Sequence, residues 1–583
     1  MANSIVGSHE EQRSASSHSG SPDEKKAGDL DLIESRNSPM DLEGQDKKHG
    51  GIVDDSGNKE NLHRALTEKQ ISMIAIGGSI GTGLIIASGT ALAQGGPAGL
   101  LIGYLAMGAV CWVVITALGE VISFLPLAGF TGTAGRYVDP AAGVALGWAY
   151  LFKYLIITPN QINASALLIS YWRPDLPGSI FIAIFTVFII ASNFCGVRFF
   201  GHFEYWMSFA KIVILTAIIL GGFIISLGGN PANDRIGFRY WTQGRAFVEY
   251  KEQGALGRFL GVWSTLTSAM FAYLGSELVG VTAGETANPR RALPRAIKMV
   301  IFRILIFYIG GVIVIGMLVS PQNPGLVVKG KAAKTAAASP FVLAIKGVNI
   351  NALPSVVNAA LLLFTLSASN SDLYVASRQL HGLARDGMAP FSKFLLRANS
   401  WGVPYVCLSI CSLFCALAFL NASSGGATTF TYLTNTVTIF GGIAWWGILV
   451  THIRFMAGLR AQGISRKTLP YAAPFQPYGS YIALFITTLV LIFKGFNVFW
   501  PVFDYRNFIT NYIGIPVTAF IYLGWKFYHK TKFISASEMD FTTARNFDVL
   551  DTVDVNEGIS VKQAWQDEKR WYLKPLAVKH LVI

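Results

Sequence analysis

The chain has 583 residues, of which 52% are hydrophobic and only 14% are charged, whereas soluble globular domains carry roughly a quarter charged residues. The deficit lies between about residues 70 and 528, where uncharged apolar runs of roughly 20 residues recur, each long enough to cross a hydrocarbon core about 30 Å thick. This pattern excludes a soluble globular protein and predicts a multi-pass membrane protein.

The net charge of +13 does not indicate nucleic-acid binding, because the basic residues are spread over short loops and form no aromatic-interleaved patch. With both termini cytoplasmic and an even number of spans, the basic loops fall inside, as the positive-inside rule requires. The predicted inside residues are Arg136, Arg198, Arg290, Arg291, Arg295, Lys298, Arg378, Arg385, Lys393, Arg397, Arg454, Arg460, Arg466 and Lys467. We therefore expect cytoplasmic termini, membrane lipid around the body and no nucleic-acid partner.

The two ends of the chain differ from its middle. Residues 1–63 are polar and lack any apolar run, so we expect a disordered cytoplasmic tail. Residues 64–530 form the predicted transmembrane domain, and residues 531–583 a cytoplasmic C-terminal tail. The five cysteines lie in or beside apolar runs without a CxxC pair, which predicts helix packing and no metal site.

Twelve membrane spans are predicted along the middle of the chain. They lie near residues 71–93, 98–124, 140–169, 178–196, 204–228, 259–282, 298–320, 352–381, 404–421, 428–457, 476–496 and 508–528.

Glycine interrupts two of these spans at their centres. The first contains residues 77–83 (GGSIGTG), and the sixth contains residues 273–277 (YLGSE), where a charge falls at membrane depth. Each cluster alone is also explained by a close helix crossing of the small-residue kind. Interruptions at matching positions in two halves favour a five-plus-five inverted repeat with a substrate site at the midplane.

Several segments resemble the fungal amino acid permeases of the amino acid–polyamine–organocation superfamily. They are residues 75–83 (AIGGSIGTG), Gly119-Glu120, residues 135–140 (GRYVDP) and residues 284–290 (GETANPR). Within that family, residues 152–154 (FKY), 159–161 (PNQ), 370–374 (NSDLY) and 401–405 (WGVPY) are most similar to the dicarboxylic amino acid permeases.

The resemblance covers about residues 63–530. It implies an all-α, LeuT-type fold with broken helices 1 and 6, and plasma-membrane uptake by proton symport without a cofactor.

A broken helix exposes backbone N–H groups on one side of the break and carbonyls on the other. The N–H donors of the first span suit an α-carboxylate, and the carbonyls of the sixth, which the resemblance also suggests, suit an α-ammonium group. The predicted substrate-binding residues at the two breaks are Ser79, Ile80, Gly81, Thr82 and Gly83, with Phe271, Ala272, Tyr273, Gly275 and Glu277.

The third span carries the predicted selectivity residues. Lys153 and Asn160 lie two helical turns apart and share a face, and a cation facing the cavity favours Asp or Glu as substrate. Many relatives place a glutamate where this chain has Gln161 and a neutral residue where it has Lys153. The alternative is that Lys153 snorkels or pairs with a structural acid.

In the eighth span, polar residues recur at helical spacing, including Asn370, Tyr374, Arg378 and His381. Such a stripe faces the bundle interior. It either lines the permeation path, with Asn370 and Tyr374 at the substrate, or holds two helices together.

Two residues are predicted to couple transport to protons. In sodium-coupled proteins of the resembled fold, helices 1, 5 and 8 supply oxygens to a sodium site, and Lys211 in the fifth span places an ammonium group there. It either gains and loses a proton or remains a charged clamp on the first span. Glu120 in the second span is a second candidate, or a structural acid.

Proton-coupled uptake of acidic amino acids is therefore the leading hypothesis. A broad or neutral permease and a transporter-like nutrient sensor are the alternatives. An enzyme is not expected, since the sequence has no metal cluster, Ser-His-Asp order or phosphate loop. The resemblance also suggests a ubiquitin-ligase adaptor acting on the tails, and a plain solvated tail is an equal explanation.

Overall fold

The computed structural model describes residues 73, 77, 80–125, 129–242, 244–278, 280, 289–326, 339–347, 352–399 and 401–541. Throughout these ranges the regular secondary structure is helical. The α-helices are α1 (Ser88–Phe124), α2 (Gly129–Tyr137), α3 (Pro140–Ile169), α4 (Gly178–Phe194), α5 (Val197–Ser226), α6 (Gly254–Tyr273), α7 (Pro289–Arg303), α8 (Gly310–Leu318), α9 (Pro340–Lys346), α10 (Leu353–Arg385), α11 (Ser392–Leu395), α12 (Tyr405–Leu413), α13 (Asn421–Ser424), α14 (Gly426–Ala461), α15 (Tyr478–Phe493), α16 (Tyr505–Tyr512) and α17 (Gly514–His529). A π-helical turn, Gly83–Ala87, precedes α1, and another, Ile304–Ile309, joins α7 to α8.

Within the described ranges, eight helices are long and apolar enough to cross a membrane, and a ninth span is obtained if α16 and α17, bent by 44°, are taken together. The chain is thus a multi-pass, all-α membrane protein. The count of twelve spans and the inverted repeat stay predictions. Residues 1–63 and 542–583 of the predicted tails lie outside the described residues.

The first two predicted spans meet at a sharp turn inside α1. Gly96 has φ 72° and ψ 175°, and Pro97 follows it. Glycine adopts this backbone freely, and a Cβ at Gly96 would lie 2.6 Å from the carbonyl oxygen of Ala246. The turn divides the helix close to Gln94, where the sequence predicts one.

The third span is confirmed at its predicted bounds, because α3 runs Pro140–Ile169. Asp139 caps its N-terminus by accepting a hydrogen bond from the Ala141 amide at 2.9 Å, and proline occupies the first helical position, where its missing N–H is harmless. Most of α3 is buried, and it packs against α10, α14 and α17. Its side chains therefore face the interior of the bundle.

Close packing joins α1 to α6. A Cβ on Gly103 would lie 2.2 Å from Thr265 Oγ1 and one on Gly95 2.4 Å from Thr265 Cγ2, while the Thr265 hydroxyl donates to the Gly99 carbonyl at 2.9 Å. Lipid tails are as apolar as leucine, so helices in a membrane associate through such small-residue contacts rather than through the hydrophobic effect. This contact fixes α6 against α1 just before α6 ends.

The predicted interruption of the sixth span is present in the structure. The helix α6 ends at Tyr273, Leu274 has φ −59° and ψ 142°, and Gly275 has φ 98°. A side chain at Gly275 would be strained in this backbone. The described backbone therefore leaves the helical path directly before Glu277.

Residues 531–541, here termed the C-terminal strap, pack on the body although they lie beyond its predicted end. Arg136 donates to Asp540 at 3.2 Å, and the Ile534 amide donates to the carbonyl of Val138 at 3.0 Å. The aromatic ring of Phe541 stacks on Tyr137, with centroids 5.5 Å apart. The strap therefore ties the chain end to the segment that leads into α3.

Candidate functional site

An ion pair lies at the break of the sixth predicted span. Lys153 Nζ on α3 donates to Glu277 Oε1, and both side chains are fully buried. The second oxygen, Oε2, accepts from Trp445 Nε1 at 3.1 Å and from the Gly275 amide at 3.0 Å. The Glu277 carboxylate therefore holds the non-helical turn in place and joins it to α3 and α14.

The aromatic residues around Lys153 complete its environment. Its Nζ lies 4.3 Å from the ring centroid of Tyr154 and 5.0 Å from that of Tyr150, distances at which a ring face attracts a cation. A buried ion pair persists only where such additional contacts offset desolvation. Lys153 thus faces the interior as predicted, and its charge is compensated by an acid, as in the alternative interpretation.

The first predicted span approaches α6 at the same level. A Cβ on Gly83 would lie 2.3 Å from Ala272 Cα, and one on Gly81 would lie 2.9 Å from Gln161 Nε2. Ile80, Gly81, Thr82 and Gly83 are all buried there, whereas Ser79 lies outside the described residues. Glycine at position 83 therefore permits the close approach of the first span to α6, and glycine at position 81 permits its approach to Gln161 on α3.

The predicted carbonyl acceptors on α6 already have donors. The Ala272 oxygen accepts from the Tyr308 hydroxyl at 3.1 Å. The Tyr273 oxygen accepts from the Ser276 hydroxyl at 2.7 Å, and the Phe271 oxygen from the Leu274 amide at 3.3 Å. The Tyr273 oxygen also accepts from the Ser276 amide at 3.3 Å. Because a carbonyl oxygen has two lone pairs, an ammonium group has room to share the Ala272 and Phe271 oxygens.

Several buried polar atoms near these segments have no hydrogen-bond partner among the described residues. They are Thr82 Oγ1, Asn160 Oδ1, Gln161 Oε1, Ser369 Oγ, Ser371 Oγ and Asp372 Oδ2. Orphaned buried polar groups are rare in folded proteins because each loses its hydration without compensation. Gln161 and Thr82 belong to the contact between α3 and the first span, because Gln161 lies against Gly81, and their unsatisfied oxygens favour a polar ligand or water at this contact.

The two predicted residues on α10 make contacts between helices. Asn370 Oδ1 accepts hydrogen bonds from Ser192 and, at 2.9 Å, from Asn193 Nδ2 on α4. The Tyr374 ring stacks on Phe200 of α5 with centroids 3.6 Å apart. These contacts match the helix-holding alternative, while a role for Asn370 and Tyr374 at the substrate stays a prediction.

Asp372, between those two residues, was not among the predicted site residues. It is partly buried, its Oδ2 has no hydrogen-bond partner among the described residues, and it lies near Gln161, Lys153 and Lys211. A signal was present, because an acid within an apolar span is unusual. The sequence interpretation applied that rule to Glu277 and followed the helical spacing of Asn370 and Tyr374, which Asp372 does not share.

Lys211 on α5 contacts the first span. Its Nζ donates to the Gly77 carbonyl at 3.3 Å and lies 3.5 Å from Glu204 Oε1, with both side chains fully buried. Ser367 on α10 donates to Glu204 Oε2 at 2.8 Å. The ammonium group therefore lies among the first span, α5 and α10, in the predicted arrangement, and its contact with Gly77 suits the clamp interpretation.

Glu120, near the end of α1, has its carboxylate fully occupied. Arg466 donates from Nε to Oε1 at 2.5 Å and from Nη2 to Oε2 at 2.9 Å. His452 Nε2 lies 3.1 Å from Oε2, and the Ala473 amide donates to it at 3.1 Å. This network joins α1 to α14 and the following loop, and a coupling role for Glu120 stays a prediction.

A multi-pass helical protein whose interior combines an interrupted helix, paired charges and unsatisfied polar atoms has the architecture of a membrane transporter. Comparison with known proteins assigns the family. The amino acid permease family model matches residues 70–537, and the chain belongs to this family of transporters.

Individual relatives cover most of the chain. It is 46% identical to the dicarboxylic amino acid permease of Saccharomyces cerevisiae over 84% of this chain and 81% of the relative. It is 40% identical to the lysine-specific permease of the same yeast over 82% and 77%. The proline-specific permease of Emericella nidulans is 36% identical over 92% and 96%. These relatives differ in their named substrates, so the family alone leaves the substrate preference undecided.

Proposed function

We propose that this chain takes up amino acids across the plasma membrane together with protons, and that it prefers glutamate and aspartate. The observation that carries the preference is Lys153, a fully buried cation that meets Glu277 at the break of the sixth span. The 46% identity to a relative named as a dicarboxylic amino acid permease supports the same substrate class.

The geometry supports binding of the α-carboxylate and the α-ammonium group of the substrate by two different segments. The N–H groups of residues 79–83 take the α-carboxylate and the carbonyls of residues 271–273 take the α-ammonium, since the two segments meet at Gly83 and Ala272. A carboxylate on the substrate side chain is chemically equivalent to that of Glu277. It therefore competes with Glu277 for Lys153, whereas a neutral side chain does not.

Proton rather than sodium coupling is supported by Lys211. Its ammonium group occupies the space among the first span, α5 and α10 and bonds to the Gly77 carbonyl at 3.3 Å. A second cation at that place would face direct repulsion. Plasma-membrane location with both termini cytoplasmic is supported by the basic loops and by the permease relatives.

A broad or neutral permease is the second candidate, and one observation favours it. Because the Glu277 carboxylate already bonds to Lys153, the side-chain site carries no net cationic charge from this pair. A substrate without a charged side chain then binds without disturbing the pair.

Uptake of radiolabelled Glu, Asp and Ala by whole cells separates these candidates. We expect faster Glu and Asp uptake at lower external pH, no sodium requirement, and selective loss of Glu and Asp uptake in Lys153→Gln. Lys251→Gln, an exposed lysine in the loop before α6, is the matched control and should behave as wild type. Uptake that requires sodium and ignores pH would overturn the coupling, and unchanged acidic preference in Lys153→Gln would favour the neutral candidate.

A further inference from the structure

The interior contains a cluster of five charged side chains whose charges do not balance. Its members are Lys153, Lys211, Glu204, Glu277 and Asp372. Lys153 is paired with Glu277, and Lys211 lies 3.5 Å from Glu204. In the part of the chain that the structure describes, Asp372 makes no ion pair, so the cluster holds one more acid than it holds bases.

The three acids also differ in their hydrogen bonds. Glu277 accepts from Lys153, Trp445 and the Gly275 amide. Glu204 accepts from Ser208 at 3.2 Å and from Ser367 at 2.8 Å. Asp372 lies near the Gln161 amide, and its Oδ2 has no partner among the described residues although it is shielded from solvent.

The titratable groups that interact electrostatically with Asp372 lie on two of the helices packed against α10. They are Lys153, Tyr150 and Tyr154 on α3, with Glu204 and Lys211 on α5. An uncompensated charge in a low-dielectric interior is relieved when the group becomes neutral. A protonated carboxyl also gains an O–H donor, which gives Oδ2 the hydrogen-bonding capacity that the carboxylate lacks.

A second observation points to a ligand at the same place. Thr82 Oγ1 and Gln161 Oε1 have no partner in the described ranges, and these residues are 0% and 4% exposed. Gln161 lies near Asp372 and against Gly81 of the first span. Asp372 therefore lies beside the unsatisfied groups where substrate binding is proposed.

We propose that Asp372 binds the coupling proton at Oδ2 and that this protonation accompanies entry of the acidic substrate. The inference rests on the proposed function. A proton from the external water forms an O–H bond at Oδ2, which offsets the negative charge that the substrate side chain adds to the cluster. After the substrate leaves, the proton passes from Oδ2 to the cytoplasmic water and Asp372 is again a carboxylate. Lys211 remains the clamp on Gly77.

The test uses the full-length protein reconstituted into liposomes, with glutamate accumulation driven by a pH gradient measured beside glutamate exchange without a gradient. One pH unit supports about tenfold accumulation for each coupled proton, and this is expected of wild type. Asp372→Asn keeps a neutral hydrogen-bonding group but takes no proton. We expect it to retain exchange and to lose accumulation and pH dependence.

Two further variants sharpen the result. Asp386→Asn removes a partly exposed acid just beyond α10 that pairs with Arg385, and it should match wild type in both assays. Asp372→Glu retains a carboxyl displaced by one methylene, so its accumulation should persist with a shifted pH midpoint. If Asp372→Asn yields no folded protein, a pH midpoint of glutamate accumulation that is unchanged in Asp372→Glu overturns the proposal.

The outcomes also separate this inference from the proposed function. Wild-type uptake that is independent of pH overturns proton coupling itself. Wild-type uptake that depends on pH, together with Asp372→Asn that accumulates glutamate with the same pH profile, overturns only the assignment to Asp372.

Discussion

Glu120 and Asp372 are both acids within predicted membrane spans, yet their surroundings are opposite. Glu120 receives two hydrogen bonds from Arg466, one from the Ala473 amide and a contact from His452. Asp372 lies near the Gln161 amide, and its Oδ2 has no hydrogen-bond partner in the described part of the chain. Burial alone therefore does not mark a functional acid. The two acids differ in the number of hydrogen-bond donors that reach their carboxylate oxygens. A carboxylate with a donor for each oxygen stabilises the fold, whereas one with an unsatisfied oxygen can take up a proton.

The largest effect is expected from Glu120→Ala. Removing this carboxylate leaves Arg466 and His452 without their common partner, and breaking such a buried pair costs about 3–5 kcal/mol. We expect a large fall in the thermal midpoint of the purified protein in detergent. Glu538→Ala, an exposed acid of the C-terminal strap, serves as control. A stable Glu120→Ala protein with altered pH dependence would instead assign Glu120 to coupling.

The next effect on stability is expected from breaking the ion pair between Lys153 and Glu277. Lys153→Gln alone leaves the Glu277 carboxylate buried without its cation, and we expect a loss of about 3–5 kcal/mol. The double variant Lys153→Gln with Glu277→Gln removes both charges and keeps polar groups, so most of this loss should be recovered. The thermal midpoints of the two single variants and the double variant measure the coupling.

The same double variant also tests substrate selectivity in a protein that remains folded. Competition of unlabelled alanine against labelled glutamate should shift toward alanine. If the double variant is as unstable as the single variants, the interaction between the two charges contributes little to stability.

Asp372→Asn is expected to change stability in the opposite direction. Replacing an uncompensated carboxylate with a neutral amide removes an unfavourable charge, so we expect a gain of about 1 kcal/mol or no change. The thermal midpoint at neutral pH measures it. A strongly destabilised Asp372→Asn protein, comparable to Glu120→Ala, would remove the contrast between the two acids.

The smallest effect is expected from Asp540→Asn in the strap. Its partner Arg136 is fully buried and Asp540 is 16% exposed, but asparagine keeps a side-chain oxygen that can accept from Arg136, so we expect a loss of about 1 kcal/mol or less. The loss should shrink further at high ionic strength. A loss that is insensitive to salt would place Asp540 with Glu120 as a buried structural acid.

Local chemistry made part of this structure predictable. The Asp-Pro pair that begins α3, the turn at Gly96 and the end of α6 at Tyr273 follow from residues adjacent to them. Helix capping, proline and glycine influence only a few neighbouring residues, so their effects on helix ends and turns can be predicted from the local sequence. The interior-facing position of Lys153 follows in the same way from helical spacing.

The partners of the charged residues were not predictable in this way. Lys153 and Glu277 are 124 residues apart, and only tertiary packing brings them together. The role of Asp372 depends on which acids the two lysines take, which helical periodicity does not reveal. The strap lies within the predicted C-terminal tail, and its apolar residues Met539 and Phe541 become buried only through tertiary packing, against a cluster that includes Tyr137 and Phe455.

The C-terminal strap determines where the protein can be fused to a reporter. Gly458 of α14 packs so closely on the strap that a Cβ there would lie 2.4 Å from Met539 Sδ, and Gln462 donates to the Met539 carbonyl at 2.7 Å. A fluorescent tag joined at residue 530 would delete these contacts and uncover the base of α14. A tag joined after residue 541 would leave these contacts of the strap intact.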